Sequence, residues 1–501
     1  MFSAFQYVAE DPLLFTHLLF WLLFAGVLLV YQFIYQQITW RNTFLFLFSL
    51  YFYYLSSGWF FFLLIFSTLV DYFIGWGIFR SDNPARRKLL VTLSVIVNLS
   101  VLGYFKYTFF FVETINDLTG SQIVPKDYFG MFLNAVLQTE MPTDSIILPV
   151  GISFFTFQTI SYAVDIYRNK IKPVESIVDF AFYVSFFPQL VAGPIVRASS
   201  FVPQLRRAYQ LTRAEMNHAI FLILAGLTKK MLISDYISGN YVDRIFAEPL
   251  KHSGFENLMA VYGYSIQIYC DFSGYTDVAI GLALLLGFRL PLNFNSPYKA
   301  TSITDFWRRW HISLSSWLRD YLYIPLGGNR KGRMRTYVNL AITMLLGGLW
   351  HGAAWRFVIW GALHGGALAA HKFWLEVTNQ ETSPRIQTPF GRALSIFLTF
   401  HFVAFCWIFF RATSMEIVGE MLIQIGTDFD PARMGTIIAG YSDIYAVILA
   451  GFILHWLPQS WKDQGQQTFA ELPDFAKAIA ITFLILLMFQ VETTPFIYFA
   501  F

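Results

Sequence analysis

Asp305 to Gly365 reads DFWRRWHISLSSWLRDYLYIPLGGNRKGRMRTYVNLAITMLLGGLWHGAAWRFVIWGALHG and carries histidines in contrasting company. His311 sits among Arg308, Arg309 and Arg319. His351 sits in an apolar, glycine-rich run, Gly347-Gly348-Leu349-Trp350-His351-Gly352. Imidazole has an unperturbed pKa of about 6.5, so it takes or gives a proton near neutral pH. A positioned acid–base group contributes about 10²- to 10⁴-fold in rate. The pattern points to proton-transfer chemistry linking a basic, water-facing side to an apolar interior. For each histidine the competing reading is a hydrogen-bonded packing residue. His351 is the better chemical candidate, because its neighbours are small and it lies deeper in the apolar run. His364 reads as packing. His17, His218, His252, His371, His401 and His455 lack comparable surroundings and read as interfacial or structural.

The first histidine is expected on a basic amphipathic helix. Ser302-Ile303-Thr304-Asp305 has capping-box form, and Pro325 with Gly327-Gly328 ends the segment. Ile303, Phe306, Trp310, Leu314, Trp317 and Tyr321 recur at helical spacing as one apolar stripe. Thr304, Arg308, His311, Ser315 and Arg319 fall on another, basic face, which Arg330, Lys331, Arg333 and Arg335 extend. This suits an interfacial helix against anionic lipid, or a cytoplasmic mouth that attracts an anionic donor such as coenzyme A or an acidic carrier. The second histidine ends a segment that returns into the membrane from Tyr337. Gly348 and Gly352, and again Gly361 and Gly365, give the small-xxx-small spacing that lets helix backbones approach closely.

Composition puts these elements in a membrane. The 501 residues are 56% hydrophobic and 19% aromatic, with only 13% charged, where soluble domains carry about 25% charged residues. A formal charge of +3 argues against nucleic acid. Cys270 and Cys406 have no metal-ligand or disulfide spacing, so no metal is expected. No cleavable signal is evident. The chain reads as one integral-membrane domain, 1–501, whose centre is 301–365.

Basic loops orient the spans. Arg80 to Lys88 is placed in the cytoplasm, Glu113 to Asp144 outside, and Arg168 to Lys172 back in the cytoplasm. Leu13–Tyr35, Phe44–Phe79 (divided at Ser56-Ser57-Gly58), Leu89–Val112 and Ile146–Tyr167 read as spans. Val178–Ile195 is interrupted by Pro188 and Gly193-Pro194 and reads as broken or re-entrant. Ala219–Ile237 is interrupted by Lys229-Lys230 and is expected partly at the interface. Met259–Phe288 holds a polar island at 270–277. Lys372–Arg392 reads as a loop. Ala393–Phe410, Thr436–Leu457 and Phe475–Val491 read as further spans, ten or eleven crossings or half-crossings in all. No internal repeat is visible. GxSxG, HExxH, P-loop and GxGxxG motifs are absent. Asp271, Asp277, Asp305 and Asp320 read as caps or ion-pair partners rather than a carboxylate pair.

Taken together, these stretches resemble the membrane-bound O-acyltransferase family, in its alginate O-acetyltransferase (AlgI-like) branch. The residues that carry the resemblance are DFWRRWHISLSSWLRDYLYIPLGGNRKG at 305–332 and MLLGGLWHGAAWRFVIWGALHG at 344–365. LGYFKYTFFF at 102–111, SYAVDIYR at 161–168, FFPQLVAGPI at 186–195 and CDFSGYTDVAIGLALLLGF at 270–288 support it. The terminal TPFIYFAF at 494–501 is similar too, with Ala500 where the branch more often has Gln.

The resemblance implies an all-α, polytopic bundle of tilted, broken and re-entrant helices around a central tunnel. It implies His351 as the catalytic residue and His311 as the second, toward the cytoplasmic entrance. It implies an acyl group, most simply acetyl, taken from a cytoplasmic thioester of coenzyme A or an acyl carrier protein, with no bound cofactor. Arg308, Arg309, Arg319, Asn329 and Arg330 would bind the donor at the mouth, and Trp310, Ser315, Asp320 and Trp350 would line the tunnel. The acceptor would be an extracytoplasmic polysaccharide such as alginate or peptidoglycan. It would be reached through an outer-side partner of the SGNH type or like AlgJ, AlgX or AlgF, at a bacterial inner membrane. Three alternatives stay open: within the family, transfer of D-alanine to teichoic acid or of acyl chains to lipid or protein; a secondary transporter or export channel; and a non-catalytic subunit of an export complex.

Overall fold

The chain's long apolar runs are cut into helices wherever a residue permits a turn. The computed structural model describes residues 6–8, 11–139, 141–191, 193–379, 388–488, 494 and 496, and every regular element among them is helical. α1 is Leu18–Ile34. The run from 44 to 79 divides where expected: α2 (Ile38–Ser57) ends at Gly58, φ 59°, and α3 (Phe61–Phe79) follows a single 3₁₀ turn. α4 (Pro84–Thr119) starts with Pro84 in its first turn, and the Asn83 side chain accepts from the Ala85 and Arg86 amides. It ends at Gly120, φ 69°, the left-handed cap that glycine adopts without strain.

α5 (Ile152–Tyr167) is buried along most of its length and packs against α3 and α4. A buried polar set ties these three together: Asn98 donates to Asp71 at 2.6 Å, Ser67 donates to Asn98 at 2.7 Å, and Thr159 donates to Asn98 at 3.0 Å. α6 (Ile177–Ser185) stops short and is followed only by the single turn Phe187–Leu190, as the interrupted run predicts. On α4, by contrast, Leu89, Leu93, Ile96 and Leu99 are exposed in a row. A contiguous apolar face of this kind suits contact with lipid.

α7 (Arg213–Leu227) and α8 (Gly254–Leu285) pack with backbones in contact, a β-carbon on Gly226 falling 2.5 Å from the Gly274 carbonyl oxygen. α8 is continuous through its polar island and joins two hydrophobic cores, one around α1–α6 and one around the segments that follow. Those segments include α9 (Ile303–Arg309), α10 (Ile312–Leu318), α11 (Arg333–His351), α12 (Trp355–Val377) and α13 (Pro389–Arg411).

Several expectations are corrected. Lys229-Lys230 does not interrupt the helix, and Lys230 does not face solvent. The chain runs on from α7 as a π-helix, Thr228–Asp235, and Lys230 is 1% exposed, bonded to Asp235 and Asp271 at 2.6 Å each. Pairing with two carboxylates, not water, is what satisfies that ammonium. The run from 436 to 457 is not one straight span, since Pro431–Gly440 and Ser442–Trp456 meet at 89°. α12 runs on to Val377 where a loop was expected from Lys372, and 380–387 lie outside the described residues. Val491, and all of 494–501 except Thr494 and Phe496, also lie outside them. Among the described residues, four helical stretches are long and apolar enough to cross a membrane, and the bent pair makes a fifth. The remaining apolar length lies in shorter pieces such as α1, α5 and α6.

Candidate active site

α11 and α12 form the hairpin that presents His351. A β-carbon on Gly348 would sit 2.2 Å from the Phe357 carbonyl oxygen, and one on Gly361 2.4 Å from that of Met344. Gly365 likewise meets Ala341. The glycine spacing therefore does what it predicts, except at Gly352. That residue lies just past the helix, where its missing side chain makes room for the Phe357 ring, 2.0 Å from a built β-carbon. His351 is the last residue of α11 and is 2% exposed. Its ring is caged by Trp350, Trp360 and Phe410 at centroid distances of 5.0, 5.0 and 5.1 Å.

The second histidine is not on the basic face. The expected single helix from 303 onward breaks at His311, whose φ is 42° and ψ 56°. A non-glycine residue in the left-handed region is uncommon. Here the turn separates α9 from α10 and swings both Trp310 and His311 inward, to 1% and 0% exposure. Asn293 supports the turn. Its Oδ1 lies 3.1 Å from His311 Nδ1 and accepts from the Ser313 amide at 3.1 Å and the Ser313 hydroxyl at 2.8 Å. Phe272 of α8 stands edge-on to the imidazole at 4.6 Å. The Trp350 ring is 6.0 Å from His311 and 5.0 Å from His351, so one indole neighbours both histidines.

The remaining expected site residues fall in four places. Trp310 is packed among Phe294, Phe306 and Trp407, and its carbonyl accepts from the Ser315 hydroxyl at 3.2 Å. Trp350 lines a cavity of about 40 Å³ with Lys106, Pro149, Gly151 and Ser153. Arg308, Arg319, Asn329 and Arg330 are exposed, and Arg309 pairs with Asp305 at 2.9 Å. Asp320 lies in an arginine cluster: Arg319 and Arg197 each bond its carboxylate at 2.7 Å, and Arg168 donates to its carbonyl at 3.0 Å. Burial alone would raise the pKa of that carboxyl. The hydrogen bonds from Arg319 and Arg197 outweigh it and hold the carboxyl below its usual range.

His364 is buried and accepts from the Trp307 indole at 3.3 Å, with Trp360 at 4.6 Å. His371, His401 and His455 meet Thr304, Tyr262 and the Tyr298 amide.

Two groups at the site escaped the sequence reading. Asn293 carries no local signal. Lys106 does carry one, as a single lysine in the apolar middle of α4, and an ionisable residue at membrane depth marks function by default. Its Nζ donates to the carbonyls of Trp350 at 2.7 Å and His351 at 3.1 Å, and the Tyr107 hydroxyl donates to that of Leu349 at 3.0 Å.

Fold and site thus define a helical membrane protein with two buried histidines on one aromatic cluster, beside a small cavity that Lys106 and Trp350 help to line. Residues 167–411 match the model of the MBOAT, membrane-bound O-acyltransferase family. The chain is 38% identical over 388 residues to the peptidoglycan O-acetyltransferase of Helicobacter pylori, covering 72% of this chain and 69% of the relative. It is 41% identical over 365 residues to the probable alginate O-acetylase AlgI of Pseudomonas aeruginosa, covering 72% and 65%. The teichoic acid D-alanyltransferase of Bacillus subtilis is 30% identical over 285 residues, covering 54% and 71%. The matched segments therefore span about two thirds of these relatives' own lengths. The chain belongs to the membrane-bound O-acyltransferase family and is a membrane-embedded acyltransferase.

Proposed function

We propose that the protein moves an acetyl group from a cytoplasmic thioester, acetyl-CoA or an acyl carrier protein, to a hydroxyl destined for an extracytoplasmic polysaccharide. Two relatives named for O-acetylation, of peptidoglycan and of alginate, are 38% and 41% identical, against 30% for the D-alanyltransferase, which favours acetyl over D-alanyl. The bacterial relatives point to an inner membrane, and the polymer is reached through an outer-side acetyltransferase partner.

One observation carries the mechanism: His351 ends a helix that begins at the exposed basic residues Arg333 and Arg335. At 1.5 Å per residue, that helix spans about 27 Å, close to the thickness of a bilayer core. The donor's anionic end docks at Arg308, Arg319 and Arg330, and its thioester reaches inward. His351 takes the proton from an acceptor hydroxyl as its oxygen attacks the thioester carbonyl. The C–O bond forms, the C–S bond breaks, and the thiolate leaves with the proton returned by the imidazolium. His311, locked by Asn293, holds the donor side of the same aromatic cluster. Packed aromatic rings exclude water and limit wasteful hydrolysis.

The test is transfer from radiolabelled acetyl-CoA in inverted membrane vesicles, wild type beside His351→Ala. Label on lumenal protein or glycan in the wild type alone supports the reading. Equal labelling in both removes His351 from the mechanism. Labelling in neither, with transfer restored by a D-alanyl carrier-protein thioester, moves the protein to D-alanylation.

A further inference from the structure

The last turn of α11 is held from outside its own helix. The final four carbonyls of an α-helix have no intrahelical partner, and a cation is favoured at that negative end. Here three of those carbonyls are taken by α4: Leu349 by Tyr107, and Trp350 and His351 by the Lys106 ammonium. Lysines in membrane helices ordinarily extend toward the headgroups. Lys106 instead turns inward, its Nζ 5.9 Å from the Trp350 ring. Desolvating an ammonium in an apolar span is costly, and ordinary packing there would be served by leucine.

The same side chain forms part of the wall of the cavity bounded by Pro149, Gly151, Ser153 and Trp350. An ammonium has three protons, and the two carbonyls take two of them. Lys106 thus joins the backbone of the turn bearing His351 to the small cavity beside it. α4 and α11 both start at basic residues, and with those starts in the cytoplasm, as the positive-inside rule expects, this cavity would face the outer side of the membrane.

We propose that Lys106 is a positioning residue for acyl transfer, fixing the His351 turn against the cavity through which the acceptor hydroxyl arrives. The inference rests on the function proposed above. Lys106→Met keeps the length and removes the donors, while Lys106→Arg keeps a cationic donor. A misplacement of about 1 Å can cost about 10²-fold in rate, so Lys106→Met should lower the maximal transfer rate by about 10- to 100-fold. The donor KM should stay unchanged, and Lys106→Arg should restore part of the rate.

The structural arm needs no substrate. Hydrogen exchange of the purified full-length protein should rise at residues 347–352 in Lys106→Met and stay unchanged in α8 and α13. Unchanged exchange at 347–352, or raised exchange with a wild-type transfer rate, overturns the proposal. A uniform rise in exchange, with activity lost only in proportion to folded protein, reduces Lys106 to a stabilising role and overturns it too. If the wild type transfers no acetyl group, the proposed function fails and the positioning role falls with it, while the exchange arm still decides whether Lys106 holds the turn.

Discussion

A β-carbon on Gly348 would lie 2.2 Å from the carbonyl oxygen of Phe357, so α11 and α12 touch through their backbones where the histidine-bearing turn begins. The obstacle is main chain, and main chain cannot swing aside as a side-chain end can. Gly348→Ala should therefore push the helices apart. Overpacking of this kind costs about 1–3 kcal/mol. The displacement acts one turn before His351, so transfer should fall further than the amount of folded protein does. Gly366, with nothing within 4 Å of a built β-carbon, is the matched control, and Gly366→Ala should behave as wild type. Fluorescence-detected size exclusion gives the folded amount and vesicle labelling gives the rate.

Asn293 is the support for His311. Its single oxygen meets the imidazole and accepts from both the amide and the hydroxyl of Ser313. Asn293→Ala removes all three contacts inside a buried site, where stranding a polar group costs about 1–3 kcal/mol. We expect transfer to drop by about 5- to 100-fold, with Asn293→Asp retaining more because it keeps the accepting oxygen. The comparison is made on vesicles matched for protein content. A wild-type rate in Asn293→Ala would show that the orientation of His311 is irrelevant to transfer.

The sequence made the His351 half of the site legible and left the His311 half misread, for a physical reason. Around His351 the signal is local: glycines at four-residue spacing require a close helix, and Gly348, Gly361 and Gly365 provide one. Around His311 helical periodicity continues smoothly through residues 303–321, and nothing in it marks the break. The left-handed backbone at His311 is fixed by Asn293, eighteen residues earlier in the chain, so tertiary contact overrides propensity. The division of α2 from α3 was legible at Gly58, because a glycine with positive φ acts alone. The burial of Lys230 was not, because Asp271 joins Asp235 beside it only once α8 packs against the π-helix that carries both Lys230 and Asp235.

Lys230 supplies the stability test. Its ammonium bonds Asp235 and Asp271 at 2.6 Å each and the Thr494 carbonyl at 2.9 Å. Lys230→Met leaves two buried carboxylates facing each other without their cation, and breaking a buried pair this way costs about 3–5 kcal/mol. The thermal transition of the solubilised protein should fall sharply. The triple substitution Lys230→Met, Asp235→Asn, Asp271→Asn carries no buried charge and should recover most of the loss. A triple variant as unstable as Lys230→Met would mean that hydrogen-bond geometry, rather than charge, holds this part of α8.

The basic mouth makes a prediction with a different signature. Arg308 and Arg330 are exposed and lie outside the aromatic cluster, while Asp320 keeps Arg197 as a partner whatever happens at Arg319. Replacing Arg308, Arg319 and Arg330 by Gln should therefore leave the fold intact and weaken only the capture of an anionic donor. Opposite charges near a protein surface attract over a screening length of about 10 Å at 0.1 M salt. The apparent KM for the thioester donor should rise several-fold at low salt with the maximal rate unchanged, and the gap from wild type should narrow as salt is added. A loss of maximal rate instead would place these arginines in the chemistry. No change at either salt concentration would move the donor's docking site away from this face and back toward the Arg168–Arg197 side of Asp320.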